Sequence, residues 1–153
     1  MEPLDRHIVQ VLAQDGRISF ADLGRQVGLS TSAVHQRVKR LEERGIITGY
    51  RAVVDYTKVG LPLTALMSVK PFDPAADDDV PERLHDIEEI VACWSVAGDE
   101  NYVLLLRVAR PQDLEELFAR IRQQASVSTN TTIVLSTPWE DRLGLLPEGD
   151  AEL

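Results

Sequence analysis

The chain has 153 residues, 44% of them hydrophobic and 27% charged, the make-up of a folded domain or two small ones rather than a disordered tract. Its longest apolar runs, such as residues 102–106, suit a buried strand and are far too short to cross a bilayer, and the single cysteine, Cys93, excludes an intrachain disulfide or a site of several thiolates. The net charge of −9 hides an asymmetry: residues 1–61 hold nine Lys/Arg against seven Asp/Glu, a net of +2, whereas residues 62–153 hold seven against eighteen, a net of −11, which suggests two halves with different jobs.

Residues 4–14 read as a helix with Leu4, Ile8, Val11 and Leu12 on one face and Asp5, Arg6 and Gln10 on the other, stopped by Asp15-Gly16. Ser19 is an N-cap, with Asp22 three residues later in a capping-box position. The short helix that follows points Leu23 and Val27 inward and ends at Gly28. Ser30 caps a third helix over residues 31–44, with Val34, Val38 and Leu41 inward and Gly45 as its stop. Helix, short helix, Gly-Leu-Ser turn and helix form the plan of a helix-turn-helix unit. Residues 46–55, rich in β-branched and aromatic side chains, read as a strand leaving it. The expected first domain is therefore 1–55, with a linker over 56–62 that contains Gly60 and Pro62.

The second half alternates strand and helix. Strands are expected over 64–72, 91–97, 102–109 and 127–137. Helices are expected over 81–90, with Leu84, Ile87 and Ile90 inward, and over 111–125, with Leu114, Leu117, Phe118 and Ile121 inward. The order β-α-β-β-α-β predicts a ferredoxin-like sandwich over 63–137, so the fold class is α+β, a winged or plain helix-turn-helix followed by four antiparallel strands with two helices on one face. An acidic loop over 73–80 and a polar tail over 138–153 complete the chain. Residues 103–106, Val-Leu-Leu-Leu, and 133–135, Ile-Val-Leu, are apolar on both strand faces. A solvated antiparallel sheet alternates instead, so the face away from the helices is expected to be covered by a second copy of the chain.

The third helix turns Thr31, Ser32, His35, Gln36, Lys39 and Arg40 away from its apolar stripe, with Ser30 at its cap and Arg37 and Arg44 on the flanks. Hydroxyls and amides near a helix start can read base edges in the major groove, and lysine and arginine farther along can neutralise phosphates. Arg17, with Arg25 and Arg51, can add backbone contacts. The expected partner is double-stranded DNA. His7, His35 and His85 lack metal-ligand spacing, so neither metal nor other cofactor is expected. The start, Met-Glu-Pro-Leu-Asp, has no basic-then-apolar leader, which leads to an expected cytoplasmic protein with no membrane role.

In the second half the turn Gly98-Asp99-Glu100-Asn101-Tyr102 offers what an amino-acid zwitterion requires. Gly98 permits a tight turn with backbone N–H groups for a carboxylate, Asp99 or Glu100 can accept from an ammonium group, and Tyr102 adds a ring and a hydroxyl. From the residues alone, an ordinary hairpin turn with exposed acids is the favoured reading.

Residues 17–55 resemble the DNA-binding half of the Lrp/AsnC, or feast/famine, family of transcription regulators. The resemblance rests on Arg17-Ile18-Ser19, Gly28-Leu29-Ser30, Ser32-Ala33-Val34, Arg37, Arg40-Leu41-Glu42, Gly45-Ile46-Ile47 and Gly49-Tyr50, and continues through residues 96–102 and 132–135. It implies a DNA-binding regulator, not an enzyme, modulated by an amino-acid effector. It implies that Gly98, Asp99, Glu100, Asn101 and Tyr102 form the effector pocket at a subunit interface, with Thr132 contributed by a neighbouring subunit. It also implies dimers that can assemble further into a tetramer of dimers. The rival from the same family is a tetrapyrrole decarboxylase of the sirohaem type. It would use His85 as its acid/base group and lacks a second candidate. A module that no longer binds DNA is disfavoured by the intact basic face of helix 31–44.

Overall fold

The computed structural model describes residues 1–73, 79–140, 143, 144 and 146, so most of the acidic loop 73–80 and of the tail 138–153 lies outside the described residues. The chain divides into two compact units, one built on Met1–Val53 and joined by the segment from Trp139, the other Val54–Pro138.

Unit 1 holds three helices, α1 (Pro3–Gln14), α2 (Phe20–Val27) and α3 (Thr31–Glu43). Each supplies a short apolar stripe at helical spacing, and the stripes meet in one core of Ile8, Leu12, Leu23, Val34, Val38 and Leu41. Leu4 is only half-buried, and Val11 packs at the rim. Asp5 departs from expectation: it is 8% exposed instead of lying on the solvent face with Arg6 and Gln10. A cation from α3 holds it there, as described below.

No strand forms over residues 46–55, where β-rich composition predicted one. A strand needs the N–H and C=O groups of a partner strand, and the described elements of unit 1 are all helices. The chain instead turns back on α3, and the Ile46 and Ile47 amides both donate to the Leu41 carbonyl, at 2.9 and 3.2 Å.

Unit 2 runs β1 (Leu63–Pro71), α4 (Val80–Leu84), β2 (Ile90–Ser95), β3 (Tyr102–Val108), α5 (Pro111–Ala125) and β4 (Val127–Ile133). The sheet has the order β2-β3-β1-β4, antiparallel throughout. On its helix-covered face Ala65, Met67 and Val69 of β1 and Tyr102, Leu104, Leu106 and Val108 of β3 pack against Leu114, Leu117, Ile121 and Ala125 of α5. Full burial of a side chain such as Leu117 or Ile121 stabilises the unit by about 2–3 kcal/mol. Phe118, expected inward, only borders this core.

Helix α4 is five residues long, where ten were expected. Bonds three residues apart, from the amides of His85, Ile87 and Ile90 to the carbonyls of Glu82, Leu84 and Ile87, tighten the chain into turns. These turns drop Ile87 into the core at 3% exposure and deliver Ile90 to the sheet. Tertiary packing overrides the helical period here.

The opposite sheet face carries a cross-strand row of Ala92, Leu105, Leu66 and Thr132 beside a row of Trp94, Val103, Ser68 and Asn130. Leu66 and Trp94 are 38% and 47% exposed there. At one end of this face the Tyr56 ring lies 3.4 Å from the Arg107 guanidinium carbon, which leaves Arg107 buried under the linker.

Candidate nucleic-acid interface and effector turn

The geometry of α2 and α3 starts from their caps. The Ser19 Oγ accepts from the Asp22 amide at 3.0 Å and donates to the Asp22 carboxylate at 2.5 Å. With the hydroxyl bond first and the Arg25 charge second, the Asp22 carboxyl is held below its ordinary value. Helix α2 ends at Gly28, whose φ of 71° lies in the left-handed region that glycine enters without steric cost. Ser30 then caps α3 by accepting from the Ala33 amide at 3.2 Å. One close approach fixes the turn between the helices. The Leu29 amide donates to the Gly24 carbonyl at 2.9 Å, and a Cβ on Gly24 would stand 2.6 Å from the Leu29 carbonyl oxygen.

With Val34, Val38 and Leu41 at 0–2% exposure, the remaining faces of α3 are turned to solvent. Thr31, Ser32, His35, Gln36, Lys39 and Arg40 are all exposed, so one helix gathers hydroxyl, imidazole, amide and cationic groups on one side. The His35 ring meets Phe20 of α2 edge-on at 5.4 Å, which restrains its direction. Lys39 lies 3.6 Å from Glu43. Arg17, also exposed, sits in the α1–α2 turn, its amide donating to Asp15 at 3.0 Å. The set gathers hydrogen-bonding groups near the helix start and cations toward its end, the pattern that base-edge and phosphate contact requires.

Arg37 does not join that set. Its guanidinium donates to Asp5 at 2.6 Å and to Glu2 at 2.8 Å, and its side chain is 22% exposed. The bonds to Glu2 and Asp5, in that order, hold its pKa above the ordinary arginine value. It clasps α3 to the start of α1. The signal was in the helical period: at about 100° per residue Arg37 projects closer to the buried stripe than Gln36 or Arg40 does. Gly24, Asp5 and the bond from the Tyr50 hydroxyl to Glu42 (2.9 Å) also escaped the sequence reading, since each depends on a neighbour from another element.

The β2–β3 turn is closed by the Val96 amide on the Asn101 carbonyl at 3.0 Å and tied to β1 by the Asn101 amide on the Val69 carbonyl at 3.1 Å. Gly98 and Asp99 are exposed, and Glu100 and Asn101 half-buried. The backbone at Gly98 is outside the left-handed region and a Cβ there meets nothing within 4 Å, so within one chain nothing requires a glycine. The Tyr102 ring belongs to the unit 2 core at 9% exposure. Thr132 is exposed on β4, level with Leu66 and Leu105. That puts it two strand spacings across and three residues down from Tyr102, about 14 Å away. One chain therefore assembles Gly98, Asp99, Glu100 and Asn101 in a turn and leaves Thr132 apart. His85 is exposed beside Asp86 at 3.5 Å, without the enclosed pair that acid/base catalysis needs. Among the described residues, no helix is long and apolar enough to cross a membrane.

Residues 1–42 match the model of the AsnC-type helix-turn-helix domain and residues 64–143 that of the Lrp/AsnC ligand binding domain. Over 142 residues the chain is 48% identical to the HTH-type transcriptional regulator LrpA of Mycobacterium tuberculosis, covering 93% of this chain and 95% of that protein. It is 32% identical over 139 residues to the leucine-responsive regulatory protein of Haemophilus influenzae, covering 88% and 84%. Among solved structures it superposes with a TM-score of 0.90, at 48% identity and covering 94% of this chain and 97% of the other, on a feast or famine regulatory protein of M. tuberculosis complexed with L-methionine. These relatives are transcriptional regulators, and the decarboxylase reading finds no support among them.

Proposed function

This chain belongs to the Lrp/AsnC family of helix-turn-helix transcriptional regulators and is not an enzyme, and from that premise we propose how its residues divide the work. Helix α3 lies in the major groove of operator DNA, with Thr31, Ser32, His35 and Gln36 toward base edges and Lys39, Arg40 and Arg17 on phosphates, while the Ser30 cap fixes where the helix begins. The observation that carries this reading is the division of α3 itself, with Val34, Val38 and Leu41 fully inward and an unbroken polar and basic face outward. Arg37 serves the fold of the reader and not the groove.

Two copies pair through the sheet face that carries Leu66, Val103, Leu105 and Trp94, which presents two α3 helices to half-sites about one DNA turn apart. Dimers associate further. An amino acid occupies the β2–β3 turn, Gly98 to Asn101, between copies, with Thr132 supplied by a neighbour. The separation of Thr132 from the turn within one chain supports a shared pocket, and the L-methionine complex of the similar regulator supports an amino acid as the occupant. Tyr102 acts from the core by holding the turn's base and not as a ligand contact. Effector binding favours one assembly over another and changes operator affinity by the difference in binding energy, about 1–3 kcal/mol. The place of work is the cytoplasm, with the DNA.

Selection of genomic DNA by the purified full chain, with and without a panel of amino acids, tests the reading. An enriched operator is expected. Arg40→Ala should weaken all sequences and lower the salt slope by about one. Ser32→Ala and Gln36→Ala should shift base preference. A folded protein that enriches no sequence refutes the assignment of α3. Calorimetry with the amino-acid panel, alongside Trp94 emission, tests the effector turn, and no heat with any member refutes it.

A further inference from the structure

The chain beyond α3 is tied back to it at one side chain. After Gly45 the amides of Ile46 and Ile47 converge on the Leu41 carbonyl, so the segment starts against the last turn of the recognition helix. Four residues on, the Tyr50 hydroxyl donates to the Glu42 carboxylate of α3 at 2.9 Å. The same ring overlies the α1–α2 turn: its Cδ1 would lie 3.7 Å from a Cβ on Gly16. Residues 12–17 and 49–53 otherwise face each other across an open groove of about 690 Å³, which leaves the segment room to shift. Partial burial, and then the Glu42 bond, push the Tyr50 phenol up to about 12, so the hydroxyl remains a donor at neutral pH. Residues 52–54 are exposed, and the second unit begins at Val54.

We propose that Tyr50 is a positioning residue: its bond to Glu42 makes the segment that leads to the second unit move as one body with the recognition helix. The claim rests on α3 being the DNA reader. A 13-residue helix is a rod of about 20 Å, so a displacement at its last turn reaches the reading residues at its first. Glu42 lies in the last turn, away from the reading end, and is free to serve as a handle. A change of assembly in the second unit then has a defined route to the groove, through residues 51–53, Tyr50 and Glu42. A local strut would hold the segment without coupling it.

Hydrogen exchange by mass spectrometry on the full chain, free and bound to the selected operator duplex, separates the two. Tyr50→Phe removes the hydroxyl and keeps the ring, Glu42→Gln keeps an acceptor, and Glu42→Ala removes it. In the wild type and in Glu42→Gln, DNA binding is expected to slow exchange over residues 46–53 by about three- to tenfold, the scale of one hydrogen bond. In Tyr50→Phe and Glu42→Ala that gain is expected to vanish, with the operator dissociation constant of Tyr50→Phe within about threefold of wild type. A strut would lower protection equally with and without DNA and leave the gain intact. That result overturns the proposal. If the wild type binds no DNA, the reading of α3 falls instead. The tie is then tested in the free protein, where Tyr50→Phe must speed exchange over residues 40–44 as well as 46–53, and unchanged exchange over 40–44 refutes it.

Discussion

Replacing Gly24 by alanine pits two effects of opposite sign against each other. Gly24 lies inside α2, and in an exposed helix interior the change to alanine stabilises by about 1 kcal/mol. Here the new Cβ would stand 2.6 Å from the Leu29 carbonyl oxygen and 3.5 Å from Val34 Cγ2. The nearer atom is backbone, so the turn itself must retreat by most of an ångström. Overpacking of this kind costs about 1–3 kcal/mol. Loosening the Leu29–Gly24 hydrogen bond adds about 1 kcal/mol. The net expectation is a loss of about 1–3 kcal/mol in unit 1, together with weaker operator binding because the same turn sets where α3 begins. Urea denaturation of the full chain, with exchange of α2 and α3 amides as the local probe, measures it. Gly49→Ala is the control: its Cβ would meet nothing within 4 Å, its backbone is outside the left-handed region, and it should be neutral or slightly stabilising. A Gly24→Ala protein as stable as wild type would show that the close approach is not a constraint.

Arg37→Ala leaves Asp5, whose side chain is 12% exposed, without its cation, and should cost about 2–3 kcal/mol while leaving the salt slope of DNA binding unchanged. A slope lower by one with little loss of stability would return Arg37 to the DNA. Ser126 closes α5 at φ 55°, where a side chain is strained, so Ser126→Gly should stabilise unit 2 by about 0.5–1 kcal/mol, read as a higher urea midpoint; a lower one contradicts the strain argument. The Arg120 guanidinium donates to both Glu89 oxygens at 2.8 and 3.0 Å and holds that carboxyl below its ordinary value. A depressed carboxyl stabilises the fold above its unfolded pKa and loses that contribution as pH falls through the folded one. Arg120→Gln should therefore flatten the acid limb of the stability curve below about pH 5, and an unchanged limb removes the pair from the account.

The sequence by itself determined the elements whose signals are local. The caps Ser19 and Ser30 and the stop at Gly28 each act within one turn of helix and the stripe Val34–Val38–Leu41 within about two, and α2 and α3 stand where those residues put them. Helix α5 runs over residues 111–125 as its apolar period demands, and the β-α-β-β-α-β order follows from alternation alone. Tertiary structure decided what depends on distant neighbours. Whether residues 46–55 form a strand turns on a partner strand, which propensity cannot supply. Whether residues 85–90 stay helical turns on the cavity that Ile87 fills. Arg37 and Asp5 both looked solvent-facing, and 32 residues of chain had to fold before one could neutralise the other. Local chemistry names the elements because their bonds close within a few residues; the roles of single side chains were settled by packing, because a charge or a ring takes its meaning from whatever the fold brings beside it.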